Sequence, residues 1–76
     1  MNIYELVQVE DKRLTVSDAR EHFSGCIPGW QTFCEAHGFV WNTVVRHGLL
    51  ASELLSTDDA MAIGLVTWYY NTKITK

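Results

Sequence analysis

The run Ala60-Met61-Ala62-Ile63-Gly64-Leu65-Val66-Thr67-Trp68-Tyr69-Tyr70 is apolar on nearly every face of the helix it would form. A surface helix carries one apolar stripe and one polar face, whereas a helix that is apolar all round has to be buried all round. The whole chain has 76 residues, and a domain that small buries only about 60% of its unfolded surface. Two arrangements satisfy the constraint. In one, this segment is the central core helix, wrapped by the other helices and an N-terminal arm. In the other, part of it is covered by a second molecule. Trp68, Tyr69 and Tyr70 fan over roughly 200° at the ~100° per residue of an α-helix. A single narrow core does not receive all three, unless the N-terminal arm, with Tyr4 and Leu6, folds back over the outer ring. The expected interface is therefore Trp68, Tyr69, Tyr70, Met61 and Gly64, the glycine allowing close approach of another backbone.

Local punctuation predicts the remaining elements. Thr15 and Asp18 have capping-box spacing, with a carboxylate in place of the usual Glu, and open a helix over 16–23 that stops at Gly25. Pro28 suits the first turn of a second helix, which carries Trp30, Phe33 and Cys34 and stops at Gly38. A third, short helix holds Trp41, Val44 and Val45 and stops at Gly48. Glycine just past a helix end accommodates the left-handed cap conformation. A turn over 51–55 leads to Thr57, read as the N-cap of the last helix, with Asp58 and Asp59 facing the positive end of its dipole. Residues 1–16 stand apart: Ile3, Glu5, Val7 and Val9 alternate with Tyr4, Leu6 and Gln8, which fits an extended arm or a β-hairpin. The expectation is a mainly α domain, a small bundle of about four short helices over 17–76 with this N-terminal arm or hairpin. Phe23, Trp30, Phe33, Trp41, Val44, Leu54, Ile63 and Leu65 are its expected core.

Composition narrows the function. Net charge is −3 with six Lys and Arg, and these are scattered over Lys12, Arg13, Arg20, Arg46, Lys73 and Lys76. Nucleic-acid binding rests on a clustered basic face, so it is disfavoured. No stretch reaches the ~20 apolar residues of a membrane span, and the start of the chain lacks the basic region and long apolar run of a signal peptide. With two cysteines, Cys26 and Cys34, the chain reads as a reduced, cytoplasmic protein with buried thiols.

Candidate chemistry is weak. His22 with Cys26 and Cys34 with His37 would supply four zinc ligands, but Gly25 breaks the helix between the first pair and no Cys-x2-4-Cys knuckle exists. Helix-terminal histidines and buried cysteines account for all four without metal, and His37 and His47 are read as helix-end caps. No nucleophile, base and orienting group are recognisable together, and Asp58 and Asp59 are adjacent, so on a helix they diverge. The chain is therefore read as a non-enzyme without a cofactor. A helix-turn-helix lies within reach, since Trp30 to Gly48 gives helix, glycine turn, helix. Its second helix would present Asn42, Thr43 and Arg46, types that read base edges, with one dependable cation in an acidic protein.

The run from Leu14 to Ala62 also carries an ordered set of features. These are Leu14-Thr15-Val16-x-Asp18-x-Arg20, Cys26-x-x-Gly29, Phe33-x-x-x-His37-Gly38-Phe39-x-Trp41, Val45-Arg46-x-Gly48-Leu49 and Thr57-x-Asp59-Ala60-Met61-Ala62. In order and spacing the chain resembles a group of short proteins encoded by temperate tailed phages and prophages. It departs from their pattern at Val40, in place of a polar capping residue, and at Asp58, in place of glycine. Its N-terminal arm is also longer, and its C-terminal end is aromatic instead of charged. The resemblance implies an accessory protein from a virion-morphogenesis or neighbouring region. Such a protein would act stoichiometrically on another protein, as an assembly factor or an inhibitor of a host protein, with a homodimer as a further option. A small helix-turn-helix DNA-binding protein is the alternative.

Overall fold

A computed structural model describes residues 2–25 and 27–74. It contains α1 (Ile3–Val9), β1 (Arg13–Leu14), α2 (Val16–His22), α3 (Ile27–Ala36), α4 (Trp41–His47), β2 (Leu49–Leu50), α5 (Ala51–Ser56) and α6 (Ala60–Tyr69). A π-helical turn, Tyr70–Ile74, continues α6. The domain is mainly α, as its punctuation predicts. The strands are two residues each and pair antiparallel, Arg13 with Leu50 and Leu14 with Leu49.

The predicted capping box and the glycine stops are formed. Thr15 N–H donates to Asp18 Oδ2 at 2.8 Å and Asp18 N–H donates to Thr15 Oγ1 at 3.2 Å, closing the capping box of α2. Gly25, Gly38 and Gly48 all have positive φ. At Gly48 the requirement is twofold, because φ is +72° and a Cβ would stand 2.4 Å from the Leu14 carbonyl oxygen. That close approach is where β1 crosses the end of α4.

Three expectations are corrected. The alternating run 3–9 is a helix, not an arm or a strand. Ile3, Leu6 and Val7 have helical as well as alternating spacing, and the Asn2 side chain caps Glu5 N–H at 2.9 Å. The described N-terminal residues form no hairpin, since β1 pairs with β2, Leu14 with Leu49, 35 residues further on. The turn over 51–55 is the helix α5, capped from a distance: Asp11 Oδ1 accepts Ser52 N–H at 3.0 Å and Lys12 carbonyl accepts Ala51 N–H at 2.9 Å. Finally, α6 is capped by Asp59, which accepts Met61 N–H at 2.9 Å, and not by Thr57. Asp58 takes φ +55° between the two helices, which delays the start by two residues. Thr57 Oγ1 instead accepts Asp59 N–H and bonds back to the Leu54 carbonyl.

The core runs through every helix. Val7, Trp30, Phe33, Val44, Leu54, Leu65 and Val66 are buried, with Leu14 and Leu49 joining from the strands. Phe23, Trp41 and Ile63 pack against it half-buried. Trp30 and Phe33 stack at 5.0 Å and 12°, and the Phe23 ring lies tilted 5.5 Å from Trp30.

Candidate protein-interaction surface

The apolar helix α6 is only partly wrapped. Ala62, Leu65 and Val66 face the core and are buried, whereas Ala60 and Gly64 are exposed. Among the described residues, α6's own backbone apart, nothing lies within 4 Å of where a Gly64 Cβ would be. Met61, Trp68 and Tyr69 are half-buried. Trp68 lies 5.2 Å from the His22 ring and has Lys73 Nζ 5.7 Å from its centroid, the ammonium being held by Glu21 at 2.9 Å.

Tyr70 departs from its expected place at an interface, because it is fully buried within the chain. Its hydroxyl donates to the Glu10 carbonyl at 2.5 Å and accepts the Lys12 N–H at 2.9 Å. The segment between α1 and β1 thus closes over the aromatic end of the last helix. Burial pushes the Tyr70 phenol pKa above its ordinary value, against the lowering effect of the Lys12 N–H. The covering comes from backbone at 10–12 rather than from Tyr4, which is itself exposed.

The more open apolar surface is on α4. Val40 is 65% exposed and Val45 53%, well above the tenth or less typical of the core valines. A cleft of about 310 Å³ opens between this helix and the strand pair, with Phe39, Val40, Thr43, Val44 and Leu49 on its walls and Arg13 and Glu53 also lining it. Local sequence explains the shape. Gly38 and Gly48 end α3 and α4, so α4 is only seven residues long. Val40, the N-cap of α4, makes no side-chain cap bond and leaves an aliphatic group in the lining of the cleft. This surface was not singled out from sequence, because it is assembled from β1, α4, β2 and α5; an apolar residue at a capping position was the one local signal.

Asn42, Thr43 and Arg46 are all exposed on α4, so the structure does bring the base-reading types of the helix-turn-helix alternative together. A smaller recess of about 260 Å³ lies between α1 and α5, bordered by Tyr4, Val7 and Leu55.

The other candidate groups are engaged in structure. Cys34 is buried, and burial, reinforced by Glu35, pushes its thiol pKa up to about 12, so it keeps its proton. Cys26 lies outside the described residues. His37 lies tilted against Phe33, ring centroids 4.5 Å apart, and approaches the α6 cap Asp59 at 3.5 Å, while His47 is exposed at the end of α4. Among the described residues no three His, Cys, Asp or Glu side chains converge as metal ligands would. No helix of the described residues is long and apolar enough to cross a membrane. Comparison with family models, curated proteins and solved structures gave no match.

Proposed function

We propose that the chain is a non-catalytic accessory protein, of the phage type its sequence resembles, that acts stoichiometrically through a protein interface centred on α4. The observation that carries this reading is the exposed Val40, at the N-cap of α4, in the lining of an open cleft, with a second exposed valine, Val45, on the helix that follows. Isolated exposed aliphatics are ordinary, but exposed aliphatics adjoining a concave apolar wall mark binding surfaces. The half-buried face of α6, with Met61, Gly64, Trp68 and Tyr69, is the second surface in this reading and the one suited to a homodimer. The biological setting it fits is virion assembly, or inhibition of a host protein in the bacterial cytoplasm.

Affinity capture from infected or lysogenic cells tests the proposal when wild type is compared with Val40→Asp. Val40 is exposed at the N-cap of α4, so the substitution should leave the fold intact by circular dichroism while removing the captured protein. Retention of the same protein by the folded variant would move the interface away from α4. A helix-turn-helix DNA-binding role is favoured by one observation, the shared exposure of Asn42, Thr43 and Arg46. Binding to random duplex DNA that weakens steeply with salt would support it.

A further inference from the structure

We infer that the α4 cleft takes a short segment of a partner protein in which a carboxylate side chain neighbours an aliphatic or aromatic one, an inference that rests on the protein-binding role proposed above. Two features of the cleft define this occupant. Its lining includes the exposed Val40 and the half-buried Phe39 beside the buried Val44 and Leu49, and offers contact to an apolar side chain. Arg13 lines the same cleft, is exposed, and makes no ion pair among the described residues.

The state of the cations makes Arg13 informative. Both described lysines are matched to carboxylates, Lys12 to Glu10 at 3.5 Å and Lys73 to Glu21 at 2.9 Å. Among the described residues none of Arg13, Arg20 and Arg46 is, although acids outnumber bases by nine to six in the chain. Arginine is the residue whose planar fork matches a carboxylate with two parallel bonds. Beside an apolar wall, where water is displaced on binding, that match gains strength. Arg46, one turn beyond the cleft residue Thr43, extends the positive character along α4. The opposing charge at the cleft is Glu53, and its Oε1 already accepts the Leu50 N–H at 3.1 Å. An acidic-apolar segment therefore meets an unsatisfied cation and an apolar wall. A nucleic acid would meet the same two arginines but gain nothing from the wall, on a protein of net charge −3.

Panning a displayed library of short random peptides on the intact chain tests this. The expected enriched peptides carry Asp or Glu next to Leu, Ile, Phe or Trp, and shift the amide resonances of residues 39–49 and of Arg13. Arg13→Glu and Arg46→Glu, both at exposed positions, should weaken a labelled enriched peptide, the first by roughly tenfold or more. Enriched peptides without acids, or peptides lost on Val40→Asp but indifferent to Arg13→Glu, would overturn the acidic occupant while leaving the protein-binding role standing. Failure to enrich any peptide, together with salt-sensitive DNA binding lost in the two arginine variants, would overturn both. A concentration-dependent dimer in light scattering that protects residues 39–49 would replace the peptide by a second copy and also overturn the inference.

Discussion

Replacing Tyr70 with Phe removes one oxygen atom and isolates the contact that ties the two ends of the chain together. The hydroxyl bridges Glu10 and Lys12, 60 and 58 residues away. The same segment supplies Asp11 and the Lys12 carbonyl to the N-terminus of α5. The ring keeps its burial in Phe, so the loss is confined to two hydrogen bonds and to the partners they leave unmatched. At about 1 kcal/mol net per bond, the expected cost is ~2 kcal/mol. For a domain of this size that lowers Tm by roughly 8–16 °C, at ~4–8 °C per kcal/mol. In urea, with a slope of about 1 kcal/mol/M, the midpoint falls by about 2 M at unchanged slope. Tyr69→Phe is the control, and hydrogen exchange at the Lys12 amide should accelerate only in the Tyr70 variant. A loss below about 0.5 kcal/mol would mean that water replaces the bridge without cost. The segment 10–12 would then be held by α5 alone, contrary to the account of α6 given above.

Phe33→Ala should cost about 3–5 kcal/mol by urea denaturation, because it empties the stack between Trp30 and His37. Gly48→Ala should destabilise by more than about 1–3 kcal/mol, since positive φ and the Leu14 carbonyl at 2.4 Å act together; Gly64→Ala, with open space around it, should stabilise by about 0.5–1 kcal/mol. A Gly64→Ala variant that gains stability but loses a partner would assign an interface to α6. Stability should fall as pH rises above 9, because the Cys34 thiol is held at about 12 when folded against 9.0 in the unfolded chain, and Tyr70 is raised in the same sense. The stability is present in full below pH 9 and is lost toward pH 12, with Cys34 contributing at most ~1.4 kcal/mol per pH unit. Chemical denaturation of Cys34→Ala should show a shallower decline between pH 9 and 10.

The parts of the fold visible in the sequence are those set within a few residues. The Thr15–Asp18 box and the glycine stops at 25, 38 and 48 are local devices, and each is formed. The residues that failed to announce themselves depend on distant partners or carry two patterns at once. Ile3 to Val9 alternates, yet Ile3, Leu6 and Val7 also lie on one helical face, and the Asn2–Glu5 cap decides between them. The N-terminus of α5 is capped by Asp11 across 41 residues, which no local pattern reveals. Tyr70 looked like interface because an aromatic fan exceeds one core, but the 10–12 segment supplies the missing cover. The α4 cleft needs four elements to exist, so only Val40 at a capping position hinted at it. By contrast, the exposure of Asn42, Thr43 and Arg46 follows from helical period alone once Val44 faces inward.

Hydrogen–deuterium exchange on the complex with whatever protein the intact chain captures tests the central claim most directly. Residues 39–49 and Arg13 should gain protection on binding, with 60–70 unchanged. Protection confined to 60–70, with α4 exchanging as in the free chain, would place the working surface on the apolar helix and contradict the account.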